Sequence, residues 1–166
     1  MTHRSIHSRF LASTFAGLLM IPAVLASGFT LLSPSIAEAG VTTASCRIHA
    51  IEASLEGDGT IPPELEFMAD QLKAGAFAQF RGIRLIESKD YKLELGVAAD
   101  KKFKSGHNVK LNLVGGESDK LELQTEILRG GTSVFKLDWA MKSAGLMLIP
   151  VSRGDQTTIF AYQCKA

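Results

Sequence analysis

From residue 46 onward, apolar side chains fall mainly on alternate positions, the period of a β-strand. Leu121, Leu123, Thr125 and Ile127 against Glu122, Gln124 and Glu126 form the cleanest half-buried strand. Val109, Leu111 and Leu113 alternate with Lys110 and Asn112; Phe135, Leu137, Trp139 and Met141 alternate with Lys136 and Asp138. Residues 46–55 put Cys46, Ile48 and Ala50 on one face and His49, Ile51 and Ala53 on the other, which predicts a strand covered on both faces. Leu146 to Val151 is an unbroken apolar run and predicts the same. Pro150 within it cannot donate to a ladder, which assigns an edge position or a strand end.

Two further strands follow from the pattern, Phe77 to Ser88 and Tyr91 to Val97, with Ser88-Lys89-Asp90 as the turn between them. The last strand spans Thr157 to Cys164. Gly115-Gly116, Arg129-Gly130-Gly131, Ser143-Ala144-Gly145 and Ser152-Arg153-Gly154-Asp155 read as hairpin connections. One stretch departs from this period. After Pro62-Pro63, Leu65, Met68, Ala69 and Leu72 recur at helical spacing, Glu64 and Glu66 suit the first turn, and Gly75 supplies a stop. A helix over 63–74 is predicted. The fold class is α+β: an antiparallel meander of about seven to eight strands, a curved sheet or small barrel or sandwich, with one amphipathic helix.

The first 39 residues carry a different pattern. Basic residues around Arg4 and Arg9 precede an uncharged apolar run, Phe10 to Ala26, which has the form of a signal peptide. Ala37-Glu38-Ala39 before Gly40 matches the small-residue cleavage pattern better than Val24-Leu25-Ala26, so residues 1–39 are expected to be removed and 40–166 to form one domain. An uncleaved anchor over 10–32 is the alternative, weakened by Pro22, Ser27, Gly28 and Thr30. The chain is 46% hydrophobic, and its 18 basic and 17 acidic side chains fall to 16 of each once Arg4, Arg9 and Glu38 are gone. A neutral domain lacks the basic surplus of a nucleic-acid binder. Lys101-Lys102-Phe103-Lys104, beside Asp100, fits a solvated loop or edge strand.

Export makes Cys46 and Cys164 readable. Two cysteines in an oxidising compartment usually pair, and here the bond ties the first strand to the last. Thr43-Ala44-Ser45-Cys46 is a poor acylation site, with Thr where Leu is expected and a position far beyond the apolar run. A metal site would need more ligands than Cys46, His49 and Cys164.

Candidate chemistry is sparse. There is no G-x-S-x-G elbow, no Walker or G-x-G-x-x-G context, and no EF-hand spacing around Asp58. His49 sits among apolar neighbours and His107 in a Ser-Gly-His-Asn turn, where a solvated loop residue is the default. Arg153-Gly154-Asp155 is an ordinary turn as well as an integrin-type tripeptide. A transmembrane barrel would want longer strands and aromatic girdles than a chain with 7% aromatic residues provides. No catalytic, cofactor-binding or metal residues are assigned.

The run from Ile48 to Ile86, the paired-glycine hairpins and Gly145 to Val151 (GLMLIPV) resemble a group of short, uncharacterised exported bacterial proteins. The resemblance implies a secreted or periplasmic envelope protein and carries over no activity and no site residues. The expected function is a non-catalytic binding module that engages another envelope protein, touches no nucleic acid, and meets the membrane only through its signal segment. A small-molecule or lipid carrier is the first alternative and a small secreted hydrolase the second.

Overall fold

The computed structural model describes residues 40–166; the signal segment and both cleavage sites lie outside the described residues. Among the described residues there are eight strands: β1 (Thr43–Ser54), β2 (Gly82–Glu94), β3 (Ala99–Lys102), β4 (His107–Glu117), β5 (Lys120–Arg129), β6 (Thr132–Lys142), β7 (Gly145–Arg153) and β8 (Gln156–Lys165). They form two four-stranded sheets, ordered β2-β1-β8-β7 and β3-β4-β5-β6, with every strand pairing antiparallel. The result is a sandwich and not a closed barrel, because β6 and β7 do not pair.

Strand alternation explains both layers of the core. The inner faces of the sheets meet through Cys46, Ile48 and Ala50 of β1, Tyr91 and Leu93 of β2, Val109, Leu111 and Leu113 of β4, Leu121, Leu123 and Ile127 of β5, and Phe160 and Tyr162 of β8. The odd-numbered positions of β1 and β8 turn the other way. Ile51, Ala53, Ile159 and Ala161 pack under Leu65, Met68 and Leu72 of the segment that follows β1. Each large aliphatic or aromatic side chain so buried contributes about 1.5–3 kcal/mol of transfer free energy. The doubly covered character expected for residues 46–55 and 146–151 holds: Met147 and Ile149 face the main core, Leu146 and Leu148 the second cluster.

The helix expected over 63–74 is shorter and tighter. Pro63–Met68 is a 3₁₀ turn, only Ala69–Leu72 (α1) is α-helical, and Gly75–Phe77 is another 3₁₀ turn. The apolar spacing accounts for this. Leu65 and Met68 are three apart, the repeat that eclipses in a 3₁₀ helix, whereas Met68 and Leu72 are four apart. Ser88-Lys89-Asp90 is not a turn. These residues pair with His49, Ile48 and Arg47, because a twelve-residue β1 holds its partner extended along its whole length. The strand expected from Phe77 begins instead at Gly82, with Phe77 and Phe80 placed against the second cluster. Gly115-Gly116 also stays within β4. Gly116 adopts φ 132°, and a Cβ there would collide with the carbonyl of Lys120, so the turn passes to Ser118-Asp119.

Cys46 and Cys164 are bonded and lie directly opposite each other on β1 and β8, 118 residues apart in sequence. Their Cα separation of 4.1 Å matches the close, non-hydrogen-bonded kind of antiparallel pair. Closing a loop of that length disfavours the unfolded chain by roughly 4–5 kcal/mol in the chain-entropy account. The bond is compatible with an oxidising compartment.

Candidate functional site

The close Cys46–Cys164 pair also fixes where edge groups point. Cys164 turns its backbone N–H and C=O away from β1 toward β7, and its carbonyl accepts from Ala144 N–H at 2.7 Å. Alternation from there puts the nitrogen of Pro150, opposite Ile159, on the free side of β7. That edge therefore lacks a donor midway. The same argument from the Glu117–Lys120 hairpin end assigns Lys136, Asp138 and Ala140 of β6 to its free side, up to the register shift at Val134, which has no partner on β5. No proline interrupts that row.

Between these two edges the core comes to the surface. On β6, Phe135, Leu137, Trp139 and Met141 are half-buried, as are Leu146, Met147, Leu148 and Val151 on β7. The inward residues of β4 and β5 are by contrast 0% exposed at Val109, Leu111, Leu113, Leu121, Leu123 and Ile127. Trp139 is held from below: its Nε1–H donates to Thr125 Oγ1 at 3.2 Å and its ring meets Tyr162 edge-on at 5.4 Å. β6 and β7 diverge from the Ser143–Ala144 turn, and a pocket of about 250 Å³ lies at the far end of the opening.

That pocket is lined by Arg129 from the end of β5, Val134 and Phe135 from β6, Pro150, Val151 and Arg153 from β7, and His107 from the start of β4. His107 is not the solvated loop residue expected. Phe103 N–H donates to His107 O at 2.7 Å, closing the β3–β4 hairpin, and the ring packs edge-on against Phe160 at 5.4 Å with 2% exposure. Nδ1 meets Ser105 Oγ at 3.0 Å, while Nε2 is buried without a hydrogen-bond partner among the described residues. Burial, with the Arg129 charge adding to it, lowers the His107 pKa from the usual imidazole value. Neither Arg129 nor Arg153 forms an ion pair among the described residues.

The second polar constellation surrounds His49 on the outer face of the β2-β1-β8-β7 sheet. Its Nδ1 meets Ser88 Oγ at 2.7 Å, its Nε2 meets Gln163 Oε1 at 3.3 Å, and Phe67 covers it at 5.2 Å between ring centroids. Desolvation lowers its pKa, partly opposed by the Gln163 hydrogen bond. Beside it Arg47 makes a two-point contact with Asp90, Nε to Oδ1 at 2.7 Å and Nη2 to Oδ2 at 3.2 Å, along an open groove of about 650 Å³. A histidine on a serine hydroxyl is the geometry of a base beside a nucleophile. Here the imidazole is oriented by an amide oxygen rather than a carboxylate, and Ser88 lies mid-strand, away from any strand-to-helix elbow. The arrangement satisfies a buried histidine. The Ser88 assignment to a turn concealed this contact, which exists only because Ser88 and His49 are in register.

The remaining singled-out residues fall apart in space. Asp58 accepts from Thr60 N–H at 2.8 Å and shapes its own turn, which lowers its pKa. Arg153-Gly154-Asp155 forms the β7–β8 connection. Lys101 and Lys102 lie on edge strand β3, where Lys101 Nζ donates to the Asp90 carbonyl at 2.6 Å. No group of three or more metal-ligating side chains and no helix long and apolar enough to cross a membrane occurs among the described residues. No family model matches the chain, and no curated protein or solved structure matches it either.

Proposed function

We propose that this protein is an exported, non-catalytic binding module that receives an extended segment of another envelope protein along β6. The observation that carries the reading is the unpaired β6–β7 opening. It offers a row of backbone donors and acceptors on β6 above an apolar stripe of Phe135, Leu137, Trp139 and Met141. Main-chain pairing supplies affinity in such strand addition and the alternate side-chain positions supply selectivity. Lys136, Asp138 and Lys142 on β6 and Pro150 on β7 discourage pairing with a second copy, as charges and proline do on natural sheet edges. The space between the sheets is filled by Ile48, Tyr91, Leu111, Leu121, Phe160 and Tyr162, each at most 1% exposed, which favours surface recognition over carriage of an enclosed ligand.

The test is site-specific photocrosslinking in the native envelope. A photoreactive residue at Lys136 or Ala140 should yield one discrete heterologous adduct, absent when the same group stands at Lys104 or Glu66. Adducts equally abundant from all four positions, or none from β6, would overturn the proposal.

A further inference from the structure

We infer that the pocket at the far end of the β6–β7 opening binds a carboxylate joined to an apolar side chain, and that the occupant is the free C-terminus of the extended segment lying on β6. The inference rests on the proposed strand addition and specifies its end. Three features of the pocket converge on this chemistry.

First, two guanidinium groups, Arg129 and Arg153, line one small pocket, and neither is engaged by a carboxylate among the described residues. Guanidinium forks match a carboxylate in a two-point geometry that an ammonium cannot supply. Second, His107 is 2% exposed and its Nε2 has no partner, although buried polar groups are almost always satisfied. If Ser105 Oγ–H donates to Nδ1, the proton sits on Nε2, and a small shift of the ring toward the pocket would give that buried nitrogen an oxygen acceptor. Third, apart from Ser152 the rest of the lining is apolar: Phe135, Pro150, Val151 and Val134, the last 47% exposed. A volume of about 250 Å³ accommodates one large side chain and its terminal carboxylate, and little more.

The direction of the chain follows. The pocket adjoins Val134 and Phe135 near the start of β6, and the opening narrows toward Ser143–Ala144 beyond its end. A segment whose last residue occupies the pocket therefore runs antiparallel to β6. About six residues, at ~3.4 Å each, span a little over half of that 11-residue strand.

A library of hexapeptides displayed with free C-termini, selected on the oxidised full chain, tests this directly. Selected peptides should end in a large apolar residue. Amidation of that terminus, Arg129→Gln and Arg153→Gln should each weaken binding by about tenfold or more, the scale of losing a charge-assisted pair. Arg129→Lys, which keeps charge without the fork, should restore only part of the loss, and thermal unfolding should confirm that each variant is folded. N-acetyl-phenylalanine should compete while its amide does not. Peptides that bind equally well as amides would overturn the carboxylate assignment and leave strand addition on β6 intact. Competition by inorganic phosphate as effective as that by N-acetyl-phenylalanine would overturn it too, by marking a general anion site. Failure to select any peptide, with heterologous crosslinks still arising at Lys136, would overturn C-terminal recognition alone. The same failure without those crosslinks would overturn both proposals.

Discussion

Along the side where β2 faces β3 and β4, the two sheets are stitched together. Val41 N–H donates to Gly116 O at 3.1 Å and Gly96 N–H to Leu113 O at 2.8 Å. Leu95 and Leu113 form a parallel bridge, and the buried Tyr91 hydroxyl reaches across the core to donate to Val109 O at 3.0 Å. Along the opposite side, β6 and β7 share a turn and no strand pairing. On the stitched side Tyr91 and Leu93 of β2 and Val109, Leu111 and Leu113 of β4 are buried, with Ile86 and Ala99 partly covered; the open side leaves Phe135, Trp139, Met141 and Met147 half-covered. Here the sealed side and the filled middle join the two sheets without any β6–β7 pairing. The other side is then free to take a strand from elsewhere.

The largest effect expected tests what stabilises the sheet common to both sides. Replacing Cys46 and Cys164 together by alanine should lower stability by roughly 4–5 kcal/mol, read as a reduced urea midpoint, with peptide binding retained where the variant is folded. A loss of binding with little loss of stability would show that the bond shapes the opening. Next comes a paired truncation that contrasts the two regions. Leu111→Ala on β4 should cost about 2–5 kcal/mol, whereas Leu137→Ala on half-exposed β6 should cost about 1 kcal/mol. Equal costs would mean that the β6–β7 side is closed in solution. Tyr91→Phe removes a stitch for about 0.5–1.5 kcal/mol, since the Val109 carbonyl keeps its place in the β3–β4 ladder opposite Lys101; the stitched side should then exchange amide hydrogens faster.

Acid should act on both sides through their histidines. Burial depresses the pKa of His49 and of His107 below the ordinary 6.5. Below about that pH the unfolded chain takes up protons that the folded one refuses, so stability falls as pH decreases and is fully present above it. Unfolding measured across the acid range should show the decline, and Asn in place of either histidine should flatten it. A stability that rises on acidification would contradict both burial assignments. The smallest signal is kinetic. In the free protein the amides of Lys136, Asp138 and Ala140 should exchange faster than those of Leu111 and Leu113, and a bound peptide should slow them.

Much of this architecture was legible because a strand's side chains alternate whatever its partners are. The alternation puts Cys46, Ile48 and Ala50 on one face and His49, Ile51 and Ala53 on the other, and all but His49 line the two separate core clusters. Leu121, Leu123, Thr125 and Ile127 point inward as read, and Pro150 lies on an edge strand. Local turn chemistry was a poorer guide. Ser88-Lys89-Asp90 and Gly115-Gly116 have turn composition, yet the long pairings of β1 with β2 and β4 with β5 hold both stretches extended. His107 followed a Ser-Gly turn in sequence, but hairpin closure drew it into the core.

By itself the sequence determined the side-chain faces, the β-rich class and the pairing of its only two cysteines, since these depend on local period and composition. Which edges stay open was decided by the tertiary structure alone. Periodicity says where a side chain points across a sheet and nothing about which strand lies beside it. Only the stacking of β6 and β7 in opposite sheets leaves them unpaired and gathers Arg129, Arg153 and His107 around one pocket.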